Sequence, residues 1–245
     1  MTLILAHRGY SSLYPENTML AFVEAEKVGA DGLELDVQMT KDGELVVIHD
    51  EKVNRTTDGN GFVKDFTAQE LRKLDAGHQN KSLSKKERIP LLEEVFEWLM
   101  GNSMVCNVEF KNGLFPYKGM EDKVIALIRH YQLESRIIIS SFNHYSVVHT
   151  TSLAPEIETA PLLAEGLYMP WIYAKSIRSR GFHPHYRAAP DQIIKQAIDS
   201  GIAVRPYTVN KESEMERLIK VGCSAMITDD PLKGVKKRME INKRS

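Results

Sequence analysis

Three short stretches hold most of the side chains able to act together chemically: His7-Arg8-Gly9, Glu34-Leu35-Asp36 followed by His49-Asp50, and Glu109-Phe110-Lys111. They supply carboxylates, imidazoles and cations. Glu34 and Asp36 are two apart in an alternating run, so both point to one strand face, away from Leu33, Leu35 and Val37. Like charges on one face repel. A bound cation removes that cost, and hard oxygen ligands suit Mg²⁺ or Ca²⁺. Glu109 repeats the pattern and offers a further ligand. His7 and His49 each end an apolar run, and imidazole suits proton transfer near neutral pH. Arg8 is able to grip two oxygens of a phosphate while Lys111 acts as a point charge. A metal would polarise the phosphoryl oxygen between them.

Taken singly, each group has a plainer explanation. His7-Arg8 fits a polar strand exit, Glu34/Asp36 a solvated edge strand, Glu109/Lys111 a surface pair, and His49 a structural imidazole. The apolar face of the 33–39 run counts against the edge strand, and two histidines at one end of a fold count for chemistry.

The elements that must position these groups alternate between strand and helix. Strands are expected at Leu3–Ala6, Leu33–Met39, Leu45–Ile48, Met104–Phe110, Ile137–Ser141, Glu158–Leu163, Ile202–Val209 and Ala225–Thr228. Helices are expected over Pro15–Val28, Pro90–Trp98, Met120–Tyr131, Tyr145–Ser152, Asp191–Asp199 and Glu212–Val221, from apolar periodicity and turn signals. Leu167–Arg187 carries no clear pattern. Short buried strands alternating with helices imply parallel pairing through right-handed crossovers. With nearly eight units, the expected fold is α/β, a closed (β/α)₈ TIM barrel with its reactive groups at the C-terminal strand ends. The 33–39 and 45–49 runs also suit a hairpin. No Gly-x-Gly-x-x-Gly follows the first strand, which counts against a dinucleotide fold. One domain over 1–245 is expected, with the polar 51–90 stretch a small insertion over the barrel mouth. Within it, Thr67 and Glu70 form a capping box.

Bulk properties narrow the function. The chain has 245 residues, 42% hydrophobic and 27% charged, as in a soluble enzyme domain. A formal charge of -1, from 32 basic and 33 acidic residues, argues against nucleic-acid binding, which leans on excess Lys and Arg. The basic stretch Lys233–Arg244 reads as a solvated, frayed end. Two cysteines, Cys106 and Cys223, suggest no disulfide framework. The apolar start, Met1–Ala6, is short for a signal peptide, and no run approaches the about 18 apolar residues of a membrane span. The expected compartment is the cytoplasm, without stable membrane insertion.

Beyond the three stretches, Pro15-Glu16-Asn17-Thr18, Thr40-Lys41-Asp42-Gly43, Tyr207-Thr208-Val209-Asn210 and Thr228-Asp229-Asp230-Pro231 complete an ordered pattern. From residue 3 to 231 it resembles the glycerophosphodiester phosphodiesterase family. The resemblance implies a (β/α)₈ barrel with an early insertion, and one divalent cation, Mg²⁺ or Ca²⁺, on Glu34, Asp36 and Glu109. It implies an acid–base pair of His7 and His49, and phosphate contacts from Arg8 and Lys111. The implied reaction splits a small glycerophosphodiester into glycerol 3-phosphate and an alcohol. The family's eighth-strand motif usually opens with Trp, where this chain has Tyr207. An aromatic wall against glycerol is the expected role, with Phe142 and Trp171 candidates for the same pocket. Glu16 is a candidate to orient Arg8. His183 and His185 read as loop residues, and Asp229-Asp230-Pro231 as a helix cap.

Two alternatives stand beside this reading. A lysophospholipase D would use the same groups on a lysolipid, but needs an apolar groove, and no amphipathic Lys/Arg-rich helix marks one. A non-catalytic phosphoester-binding module would be expected to lack a histidine or a metal carboxylate, and none is missing.

Overall fold

The computed structural model describes residues 1–80 and 85–243. Part of the polar 51–90 stretch, at 81–84, and Arg244 of the basic tail lie outside the described residues. The chain runs β1 (Leu3–His7), α1 (Met19–Lys27), β2 (Gly32–Met39), β3 (Leu45–Val47), α2 (Ala68–Leu71), α3 (Leu92–Leu99), β4 (Val105–Phe110), α4 (Met120–His130), β5 (Ile137–Ser141) and α5 (His144–Leu153). It continues through β6 (Glu158–Leu163), α6 (Pro170–Ser176), β7 (Gly181–Pro184), α7 (Asp191–Asp199), β8 (Ala203–Val204), α8 (Glu212–Val221), β9 (Ala225–Thr228) and α9 (Pro231–Asn242).

All of these strands but β3 are parallel, in the spatial order β8-β7-β6-β5-β4-β2-β1-β9. The ring closes through backbone bonds between the β8 and β9 segments: Ser224 N–H donates to Val204 O (3.0 Å) and Ile227 N–H to Pro206 O (2.9 Å). This is the (β/α)₈ barrel. Alternation divides its residues as the pleat requires. Ile4 and Met226 pack outward into a core shared with α7, α8 and α9, while Leu5, Ala225 and Ile227 form a separate inner cluster. Leu33, Leu35 and Val37 likewise face α1, α3 and α4, which turns Glu34 and Asp36 inward.

β3 explains the imperfect count. It pairs antiparallel with β2, Val37 opposite Val47, through a tight turn in which Gly43 takes φ +84°. The hairpin turns the chain back along β2, where Ile48 N–H donates to Asp36 O (2.9 Å), and so delivers His49 beside Asp36.

Several expected elements change. Helix α1 begins at Met19 rather than Pro15, because the Thr18 side chain caps it by accepting from Ala21 N and residues 15–17 are used elsewhere. The Ile202–Val209 strand shrinks to Ala203–Val204, since Pro206 has no N–H for a ladder. Leu167–Arg187 resolves into α6, β7 and a 3₁₀ turn at Tyr186–Ala188. His183 is therefore a fully buried strand residue and not a loop residue. From Lys233 to Asn242 the basic tail is helical rather than frayed. It forms α9, seated on β1 by Val235, with Arg238 donating to Thr2 O (3.1 Å) and pairing with Asp31. Among the described residues, no helix is long and apolar enough to cross a membrane.

Candidate active site

Strand register gathers the acidic groups. β1, β2 and β4 are neighbours, with His7 level with Glu34 and Asp36 level with Glu109. One carboxylate oxygen from each of Glu34, Asp36 and Glu109 lies within 4.8 Å of the others. The residues are only 2%, 1% and 9% exposed, so their charges have little water to stabilise them. Glu34 Oε2 accepts from the Arg8 backbone N–H (2.9 Å) and Asp36 Oδ2 from Asn17 Nδ2 (2.9 Å). Glu34 Oε1 and Asp36 Oδ1 remain buried without a donor. Two orphaned hard oxygens beside a third carboxylate fit a divalent cation.

The electrostatics agree. Burial, reinforced by Asp36 and Glu109, pushes the Glu34 carboxyl well above the usual carboxylate range. Burial and Asp36 raise Glu109 too, with Lys111 opposing. Burial also acts to raise Asp36, but Arg8, His49 and Lys111 outweigh it and hold Asp36 below its ordinary value.

The cations flank this patch. Arg8 Nε stands 3.3 Å from Asp36 Oδ2, and its Nη1 donates to Glu16 Oε1 at 2.9 Å. Arg8 reaches these positions because the chain turns sharply after β1, with φ +56° at Arg8 and +80° at Gly9. A Cβ on Gly9 would meet the Ala21 backbone at 2.7 Å, so only glycine fits. Lys111 Nζ donates to Glu109 Oε1 (2.8 Å) and to His49 Nε2 (3.2 Å).

The two histidines are built alike. His7 Nδ1 lies 2.6 Å from Asp229 Oδ1, and His49 Nδ1 lies 2.6 Å from Asp50 Oδ1. Asp50 sits at about 2, held down first by its hydrogen bond from Arg55 and then by His49. Asp229 is also depressed, with burial opposing and the His7 bond prevailing. Both are thus ionised acceptors, which assigns the Nδ1–H tautomer to each imidazole. Each Nε2 turns inward, that of His7 to 3.8 Å from Glu34 Oε2.

Tyr207 follows β8, which is the eighth strand in chain order but the seventh of the barrel, because β3 stands outside the ring. Its ring meets Phe142 edge-on at 6.1 Å, and its hydroxyl donates to Leu163 O (3.3 Å). Phe142 is 48% exposed at the end of β5. Trp171 is not part of this pair and packs against the core shared by β7, β8 and α7.

The sequence marks no role for Arg55, and none of the roles that the structure gives to Asn17, Asp50 and Asp229. Of the Asp229-Asp230 pair expected to cap the last helix, Asp230 caps α9 by accepting from Lys233 N (3.0 Å), while Asp229 turns to His7. The signal that could have found Asn17 is its place in the Pro15-Glu16-Asn17-Thr18 motif.

Over residues 7–233 the sequence matches the model of the glycerophosphoryl diester phosphodiesterase family. The chain belongs to that family. A relative in it from Caldanaerobacter subterraneus subsp. tengcongensis, named glycerophosphodiester phosphodiesterase, is 47% identical over 230 residues, covering 94% of this chain and 95% of its own. One of the same name from Bacillus altitudinis is 43% identical and covers 98% of this chain and all of its own length (100%). Among solved structures, an Oleispira antarctica phosphodiesterase in complex with the product sn-glycerol-3-phosphate superposes with a TM-score of 0.86 at 30% identity, covering 97% of this chain and 96% of that one.

Proposed function

We propose that this family member hydrolyses small glycerophosphodiesters to glycerol 3-phosphate and an alcohol. Family membership makes it a phosphoric diester hydrolase. The observation that carries the finer reading is the geometry of the buried carboxylates, with an inward-facing Nε2 on either side and a guanidinium and an ammonium at the edges. The Oleispira relative's bound product supports the choice of substrate.

Glu34, Asp36 and Glu109 would hold Mg²⁺ or Ca²⁺, which supplies Lewis-acid polarisation of a phosphoryl oxygen. Arg8 and Lys111 bind the remaining phosphate oxygens and offset the charge that builds as the phosphorus is attacked. One imidazole Nε2 takes the proton of the attacking oxygen, which is either water's or a glycerol hydroxyl's, the latter giving a cyclic ester that water then opens to glycerol 3-phosphate. The other, in its imidazolium form, gives its Nε2 proton to the alcohol oxygen as the bond to phosphorus breaks. Asp229 and Asp50 fix the ring orientations and stabilise whichever imidazole is charged. Tyr207 and Phe142 form an aromatic wall for the substrate's glycerol portion. We read residues 51–90 as an insertion within a single domain, leaning on the barrel mouth through Arg55.

The test is release of glycerol 3-phosphate from glycerophosphocholine, with EDTA and then with Mg²⁺ or Ca²⁺ restored. Activity removed by EDTA and recovered with metal is expected. No release with either metal, across several head groups, overturns the reading. One observation favours a second substrate class. Phe142, Tyr145, Tyr168 and Ile172 are exposed on the segments that leave β5 and β6 at this end of the barrel. A lysolipid's acyl chain would cover such side chains. Lysophosphatidylcholine in the same assay separates the two: faster choline release from it than from glycerophosphocholine makes the lysolipid the preferred substrate.

A further inference from the structure

Arg55 lies in the polar stretch after His49, yet its backbone is firmly held. Val53 N–H donates to Gly61 O and Thr57 N–H to Val53 O, each at 3.0 Å. Val53 itself is buried in a small core with Val46, Ile48, Val63, Leu71 and Ile89. The guanidinium that this segment delivers is shared between two carboxylates. Nε and Nη2 donate to both oxygens of Asp50 at 2.7 and 3.0 Å. Nη1 and Nη2 donate to both oxygens of Glu16, each at 2.7 Å. Only a planar, forked cation makes two such paired contacts at once. Each carboxylate in turn holds a site residue: Asp50 the Nδ1 of His49, and Glu16 the Nη1 of Arg8.

We propose that Arg55 is a positioning residue that sets the Arg8 phosphate clamp and the His49 imidazole together. It acts through Glu16 and Asp50 and touches no carboxylate of the metal patch. Without it, Asp50 is free to leave Nδ1 and Glu16 is free to leave Arg8. Phosphate binding and proton transfer then loosen through the same loss. The roles given to Arg8 and His49 rest on the function proposed above. The positioning itself does not.

Two measurements on the full chain test this. The first is long-range ¹H–¹⁵N NMR of the histidine rings without metal, the His49 signals being those lost in His49→Gln. Wild type is expected to show the Nδ1–H tautomer at His49, and Arg55→Met a mixture with Nε2–H. The second is a kinetic cycle on glycerophosphocholine. Glu16→Gln is expected to raise KM, Asp50→Asn to lower kcat, and Arg55→Met to do both by ~10-fold or more, the scale of an outer-shell partner. Adding Arg55→Met to Glu16→Gln should leave KM nearly where the single variant put it, and adding it to Asp50→Asn should do the same for kcat. Arg55→Lys should recover one parameter and not both. An unchanged His49 tautomer in Arg55→Met overturns the proposal, as do effects that add in full to both singles. If wild type releases no glycerol 3-phosphate, the proposed function falls, and the NMR measurement still decides whether Arg55 positions His49.

Discussion

Replacing Glu34 by Gln removes one negative charge from the carboxylate patch while keeping its shape. The amide oxygen still accepts from the Arg8 N–H, and the new NH₂ faces neighbouring carboxylate oxygens within the 4.8 Å patch. At that separation two ionised carboxylates repel by about 3 kcal/mol at an effective dielectric of about 20. Arg8 and Lys111 offset part of this, leaving an expected gain of about 1–2 kcal/mol for the metal-free variant, or roughly 2–8 °C in Tm for a chain of this size. The pH dependence follows from the raised Glu34 carboxyl. A folded value above the unfolded one, about 4.3, means that the native state binds more protons inside that window. Wild-type stability therefore falls as pH rises through it. Glu34→Gln lacks this loss, so its Tm advantage should be small near pH 4.5 and grow toward pH 8. With metal the order reverses, because saturating ligand stabilises wild type by about 2.7 kcal/mol at 100 times Kd and the variant much less. Thermal unfolding by circular dichroism, in EDTA and in Mg²⁺ across pH, measures both. A metal-free variant no more stable than wild type at any pH would refute the electrostatic reasoning. An equal metal-induced rise in both proteins would refute the ligand assignment.

Asp229→Asn frees the His7 ring and permits the opposite tautomer, so kcat should fall by roughly 10²–10⁴-fold, as when the carboxylate of a catalytic triad is made an amide. The metal-induced Tm rise should persist, and its disappearance would mean that Asp229 supports the carboxylate patch instead. Tyr207→Phe keeps the ring against Phe142 and loses only the bond to Leu163 O. KM should stay within a few-fold while stability drops by about 1 kcal/mol, and a large rise in KM would show that the hydroxyl meets the substrate.

The buried carboxylate cluster was legible because strand alternation is local: Leu33, Leu35 and Val37 on one side leave Glu34 and Asp36 on the other. The hairpin was legible as an option, through Lys41-Asp42-Gly43. What escaped is what depends on distant partners. Asp229 reaches His7 across 222 positions, and its neighbour Asp230 satisfied the cap signal, so nothing local marked the longer pairing. Arg55 sits among polar residues with no period, and its value comes from Glu16, brought near by the inward turn before α1. That turn also displaced the predicted helix start, since a chain feeding Asn17 to Asp36 is not helical there. At β8 the apolar run Ile202–Val209 outweighed Pro206 in the sequence, whereas hydrogen bonding decides the strand's extent.

The seam where β9 meets β1 sets a timetable for synthesis. His7 is made well before Asp229, which lies 222 positions later and is added tens of seconds afterwards at about 5–20 residues per second. Until β9 is released, the nascent chain holds an imidazole without its anchor, beside a patch of buried acids that lacks its closing wall. The chain is therefore expected to acquire activity in one late event, once β9 is free to pair with β1, rather than gradually with length.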